Sequence, residues 1–195
     1  MTSIPWMTIA IIGASVFGVA LVAFLVWFFW PGGGHVHDCS EPRYQADRAD
    51  PRRRWVHGVL AVYRGDAGDP AYWDRECALA QARAWGCEQP QDLHELIDRY
   101  HRGEINLAFD KARLIWLARV AQGTGWLGEG HSWQWCESAA AALRAEYPDW
   151  SSFRADMEQG RAAWYDGAVP PEQVAQAGAN WGFAQAQVLA QLPFR

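Results

Sequence analysis

The chain has 195 residues, a net charge of −5 and 20% charged residues, a balance that excludes a general nucleic-acid binder, which needs a basic face. Its four cysteines, Cys39, Cys77, Cys87 and Cys136, form no CxxC pair, so neither a zinc site nor a dense disulfide framework is signalled. Buried thiols in a reducing compartment are the plain reading, and two disulfides would be allowed if the domain faced the periplasm.

From Met1 to Gly34 there is no Asp, Glu, Lys or Arg, and the apolar run from Ile4 to Trp30 exceeds the roughly 20 residues that span a bilayer. A single-pass transmembrane helix is expected there, with the lipid bilayer as partner of residues 4–30. Trp6 at one end and Trp27 and Trp30 at the other stand where indole rings favour the headgroup interface. A cleaved signal would need a basic start and a small-residue cleavage site, and "WFFWPGGG" supplies neither. Arg43, Arg48, Arg52, Arg53 and Arg54 follow the run and nothing basic precedes it, which favours a bacterial inner-membrane protein with its C-terminal domain in the cytoplasm and leaves periplasmic exposure open.

Pro31, three glycines and a mixed charge run then read as a flexible linker. The expected organisation is an anchor over 1–31, a linker over 32–51 and a helical domain over 52–195. His35, His37, Asp38 and Cys39 offer metal-capable donors within the linker, but without further spaced ligands they read as solvated residues. No metal and no cofactor is expected.

The domain reads as all-α, because Ala, Leu, Gln and Arg dominate and no alternating β-branched run appears. Its chain order is a helix over 53–64, a turn at "RGDAGDP", and a helix from Pro70 to Trp85 stopped by Gly86. A third helix opens at Pro90, with Asp92 and Glu95 early and Arg99 and Arg102 late, and stops at Gly103. Helices over 107–122 and 129–147 follow, then one capped by Asp149, and a last from Pro171 to Leu192. The expected architecture is a membrane helix followed by a compact bundle of about six to seven helices.

Within "LAFDKARLIWLARVAQGTGW", Leu107, Asp110, Leu114, Leu117 and Ala121 share one helical side. Asp110 therefore looks inward, where a carboxylate must be paired or hydrogen-bonded. Arg113 is three residues on. Of the 13 tryptophans, three (Trp6, Trp27, Trp30) lie in the apolar run; the others supply a large part of a small helical core. Trp133 and Trp135, two apart, cannot share a helical face, so one of them is expected to line a surface groove.

"AFDKAR", "LARVAQGTGWLGEGHSW" and "DWSSFRADMEQGRAAWY" together resemble the bacterial family called domain of unknown function 1266. The corresponding residues are Ala108, Asp110, Arg113, Gly125, Trp133, Trp150, Phe153, Gly160, Arg161 and Trp164, with Trp85 and Gly86 upstream. Phe109 stands where the family usually has tryptophan, and Trp126-Leu127 where it has Tyr-Ile. The resemblance spans residues 70–166 and implies a fold with almost no chemistry. It suggests that Asp110, Arg113 and Arg161 form one polar cluster with Trp133, Trp150 and Trp164 around it, either a structural ion-pair network or a binding site.

No G-x-S-x-G, P-loop, H-E-x-x-H or dinucleotide turn occurs. Two function classes survive. One is a membrane-tethered, non-enzymatic domain with a protein partner, for example an immunity or accessory protein of a contact-dependent toxin or secretion system. The other is a hydrolase or transferase using Asp110, Glu129 or His131 in a tryptophan-lined pocket.

Overall fold

A computed structural model describes residues 42–194. The expected membrane helix and the linker up to residue 41 lie outside the described residues. Eight α-helices are present among the described residues: α1 (Pro42–Ala49), α2 (Pro51–Arg64), α3 (Arg75–Ala84), α4 (Pro90–Arg102), α5 (Leu107–Gly123), α6 (Glu129–Glu146), α7 (Trp150–Trp164) and α8 (Pro171–Gln187). None of them is long and apolar enough to cross a membrane. No strand occurs among the described residues, as an all-α reading requires.

Helix α5 organises the domain. Every residue from Ala108 to Ala121 is buried, because α6, α4, α7, α3 and the 3-10 turn at Pro70–Tyr72 all pack around it. A helix enclosed on all sides has no polar face to offer water, so each charged residue it carries needs a partner inside the protein. Gly160 of α7 permits one of these contacts, since a Cβ there would collide with Phe109 and Asn106 at the start of α5. Helix α8 packs against α2 and the turn after it. There Asn180 donates through Nδ2 to the Tyr63 carbonyl at 2.9 Å, and Gly65, at φ 66°, leaves room for the Asn180 amide that a Cβ would strike.

Several boundaries follow from caps legible in the sequence. Asp149 accepts from the Ser152 amide at 2.7 Å and opens α7. Asp92 accepts from the amides of Glu88 at 2.9 Å and Gln89 at 3.1 Å at the start of α4; these bonds hold its carboxyl below the usual range.

Three expectations need correction. Residues 42–49, read as linker, form α1, whose Asp47 is 1% exposed and bonded into the domain. The helix expected from Pro70 to Trp85 is split into a 3-10 turn and α3, because Asp69 accepts from the Ala71 amide and Asp74 from the Cys77 amide, both at 2.9 Å, so that each piece has its own cap. The last helix stops at Gln187 and continues as a 3-10 turn over Leu189–Gln191. Trp150 Nε1 donates to the Leu192 carbonyl at 2.9 Å and Trp55 Nε1 to the Phe194 carbonyl at 3.1 Å, drawing the chain end back over the core. No disulfide joins any two of Cys77, Cys87 and Cys136.

Candidate functional site

The densest polar assembly lies beneath α1, α2, α5 and α6. Arg119, fully buried on α5, donates from Nε to Asp69 Oδ1 at 3.0 Å and Oδ2 at 2.9 Å. Its Nη1 donates to Gln122 Oε1 at 2.7 Å, and the guanidinium carbon stands 3.9 Å from the centre of the Trp133 ring. Asp69 is fully buried as well. Asp47 accepts from the Tyr72 hydroxyl and from Arg53 Nη1, and lies 3.8 Å from Arg119 Nη2. Arg53 reaches outward to Glu129 at 3.5 Å. Two cations thus face two buried anions with a third at the rim, while Arg119 Nη2 and His57 Nε2 are buried without a hydrogen-bond partner.

The environment sets the protonation of each member. Burial holds His57 down to about 4, against the upward pull of Asp69 at 3.7 Å, so the ring is neutral near pH 7. Burial raises the Asp47 carboxyl, with Arg53 opposing, and pushes the Cys136 thiol up to about 12. For Arg119 burial works against the charge, but its neighbours, Asp69 first and Asp47 among them, together outweigh it and the pKa rises. A histidine of lowered basicity and a thiol held protonated are not an activated base or nucleophile.

The residues singled out from the sequence go to separate places. Asp110 is 1% exposed, but its Oδ2 accepts from the amides of Glu104 at 2.6 Å and Ile105 at 2.9 Å, closing the α4–α5 turn. Among the described residues it forms no ion pair with Arg113 or Arg161. Arg113 instead donates from Nη1 to the Tyr100 hydroxyl at 2.9 Å and is boxed by the rings of Trp164 at 3.8 Å, Phe109 at 4.2 Å and Trp85 at 5.1 Å. Arg161 pairs with Glu158 at 3.1 Å on its own helix. Trp133 belongs to the Arg119 centre, Trp150 stacks on Trp55 at 5.0 Å, and Trp164 is 42% exposed. Only Arg113 and Trp164 are brought together, through a ring face rather than a carboxylate. Trp135 is half-buried against His101.

Sequence reasoning missed Arg119, Asp69, Asp47 and His57. Arg119 was the detectable one: an arginine inside the apolar run "LIWLARVA" is a buried charge on whichever face it falls. Its partners come from segments that read as turn and linker.

Two surface grooves flank α4. One, of about 540 Å³, is lined by Trp85, Asp92, Glu95, Asp98, Arg99 and Arg102; the other, of about 310 Å³, includes Asp110 and Lys111. Glu129 and His131 line neither groove. Lys111 Nζ donates to the carbonyls of His101 at 2.6 Å and Tyr100 at 3.2 Å, capping the end of α4. Asp110 lies at a groove without tryptophan, and the other groove has Trp85 alone.

The surface of α8 is different. From Gln173 to Phe194 the sequence contains no Asp, Glu, Lys, Arg or His. Ala177, Asn180 and Ala184 face the core, while Val174 is 57% and Phe183 36% exposed. A Cβ added at Gly178 or Gly182 would meet nothing within 4 Å.

An all-α domain built around an enclosed helix, with a buried ionic centre and a last long helix uncharged beyond Glu172, is what the fold and its sites define. The chain belongs to the family described as Protein of unknown function (DUF1266), which matches residues 40–187. That range takes in all of α1 and α8, wider than the motif-bearing stretch. No curated protein and no solved structure matches the chain.

Proposed function

We propose that this protein is a non-enzymatic, membrane-anchored helical domain that binds another protein through the outer face of α8. The observation that carries the reading is that face: exposed Val174 and Phe183 on a helix without a single charge beyond Glu172. Exposed apolar side chains on a helix uncharged from Gln173 to Gln187 support an interaction site more than a solvated face. The apolar run over residues 4–30 supplies the anchor, in a bacterial inner membrane with the domain in the cytoplasm. An immunity or accessory protein of a contact-dependent toxin or secretion system is the specific form of this reading.

The test is site-specific photo-cross-linking in cells that make the full chain. A cross-linking residue at Gly178 is expected to yield protein adducts well above those from one at His94, which is exposed on α4. Equal or absent adducts at the two positions would overturn the reading.

A further inference from the structure

Four lysine or arginine side chains are buried among the described residues, and three of them meet what a buried cation requires. Arg119 faces Asp69, Arg161 faces Glu158, and Lys111 donates to two carbonyls at the end of α4. Arg113 is the exception. It is 5% exposed, its Nε is buried without a partner, and the one hydrogen bond its side chain makes among the described residues runs to the Tyr100 hydroxyl. The rings of Trp164, Phe109 and Trp85 offset part of the cost of burying the charge. They supply no anion. A guanidinium holds its N–H donors in one plane, and the matching partner there is a carboxylate. Tyr100 is no substitute, since burial raises its pKa against the pull of Arg113 and the buried phenol stays protonated near pH 7.

Trp85 joins this pair to a surface groove. Its ring lies edge-on to Tyr100 at 6.3 Å and forms one wall of the groove of about 540 Å³ along α4, room for a small molecule. Asp92, Glu95 and Asp98 precede Arg99 and Arg102 along that groove, so one end is acidic and the other basic. Asp92 is engaged with the Glu88 and Gln89 amides, whereas Glu95, Asp98 and Arg102 enter no ion pair among the described residues. The basic end is the one beside Tyr100, because the Arg99 guanidinium carbon stands 5.4 Å from the centre of the Tyr100 ring.

We propose that this groove binds a small zwitterionic carboxylic acid, an amino-acid-like molecule whose carboxylate docks on Arg113 and Tyr100 and whose ammonium faces Glu95 and Asp98. The half-buried Trp85 side chain turns aside to admit the carboxylate. Both donors are already desolvated, so a ligand carboxylate meets them where a charge-assisted pair is strong. A polyanion such as a nucleic acid is disfavoured by the three acids in the same groove. The site shares no residue with the outer face of α8 and does not depend on the reading of that helix.

Equilibrium dialysis of radiolabelled 6-aminohexanoate against the full chain in phospholipid nanodiscs tests the proposal. Saturable binding is expected, with displacement by unlabelled 6-aminohexanoate but not by 6-amino-1-hexanol, which lacks the carboxylate. Arg113→Gln and Tyr100→Phe should each weaken binding about tenfold or more, while Arg83→Gln, at a residue exposed on α3 and outside the groove, should leave it unchanged. Tyr100→Phe keeps the packed ring, and a parental thermal melt of that chain separates lost binding from lost folding. No saturable binding by the parent chain, equal displacement by the alcohol, or parental affinity in a normally folded Tyr100→Phe chain would overturn the proposal.

Discussion

Arg119 and Asp110 are both buried charges on α5, yet they answer different needs. Removing the Asp69 carboxylate leaves the Arg119 guanidinium buried without its main anion, so Asp69→Ala should destabilise the domain by about 3–5 kcal/mol in a denaturant melt. Asp110→Ala removes an acceptor from two turn amides, a loss of about 1–3 kcal/mol. Because Asp110 and Arg161 share no partner, the losses of Asp110→Ala and Arg161→Ala should add; strong non-additivity in the double variant would mean that they are linked after all. His57 adds a pH dependence. Its folded pKa of about 4 lies below the ordinary 6.5, so between these values the unfolded chain binds the proton that the folded one refuses. The associated stability is complete above pH 6.5 and falls as the pH drops towards 4, by about 2–3 kcal/mol at pH 4.5. A His57→Gln chain should lose this part of the slope, and an unchanged slope would show that His57 is not its source. Inward Asp110 was legible from helical spacing. Its partners were not, because backbone amides of a neighbouring turn leave no side-chain pattern to read.

Helix α1 shows what sequence reading loses when an element is held by a few side chains, here Tyr44, edge-on to the rings of His57 and Tyr72, and buried Asp47. Its stretch "PRYQADRA" buries only Asp47 and has no apolar stripe, so composition resembles a linker and periodicity is silent. The contact is nevertheless specific, since Asp47 holds Tyr72 and Arg53. A chain starting at residue 52 should therefore fold but melt earlier than one starting at residue 40, by about 1–3 kcal/mol, a range that allows for the partial exposure of Arg53. Superimposable melts would show that α1 is dispensable. Helices α4, α5, α6 and α7 were legible almost to their ends, because Pro90, Asp92, Asn106 and Asp149 act at the caps and Gly103 at a stop. The break before α3 and the early end of α8 were not, as they depend on Asp69 and on the two indoles that hold the last carbonyls.

At the scale of the whole molecule, the proposed anchor over residues 4–30, with the arginines that follow it, would define a topology. A fluorescent protein fused after Arg195 should glow and an alkaline phosphatase fused there should be silent; the reverse pattern would place the domain on the other side of the membrane. The central claim is that the outer face of α8 exists for binding rather than for folding. Gly178 and Gly182 separate these roles, because a side chain at either position enters open space and raises helix propensity. The most direct measurement is therefore made on a Gly178→Leu, Gly182→Leu chain carrying a photo-cross-linker at Ala179, read beside its thermal melt. The account predicts a melting temperature equal to or above that of the parent, together with loss of the cross-linked protein adduct. Retention of the adduct at parental yield by a normally folded variant would contradict it.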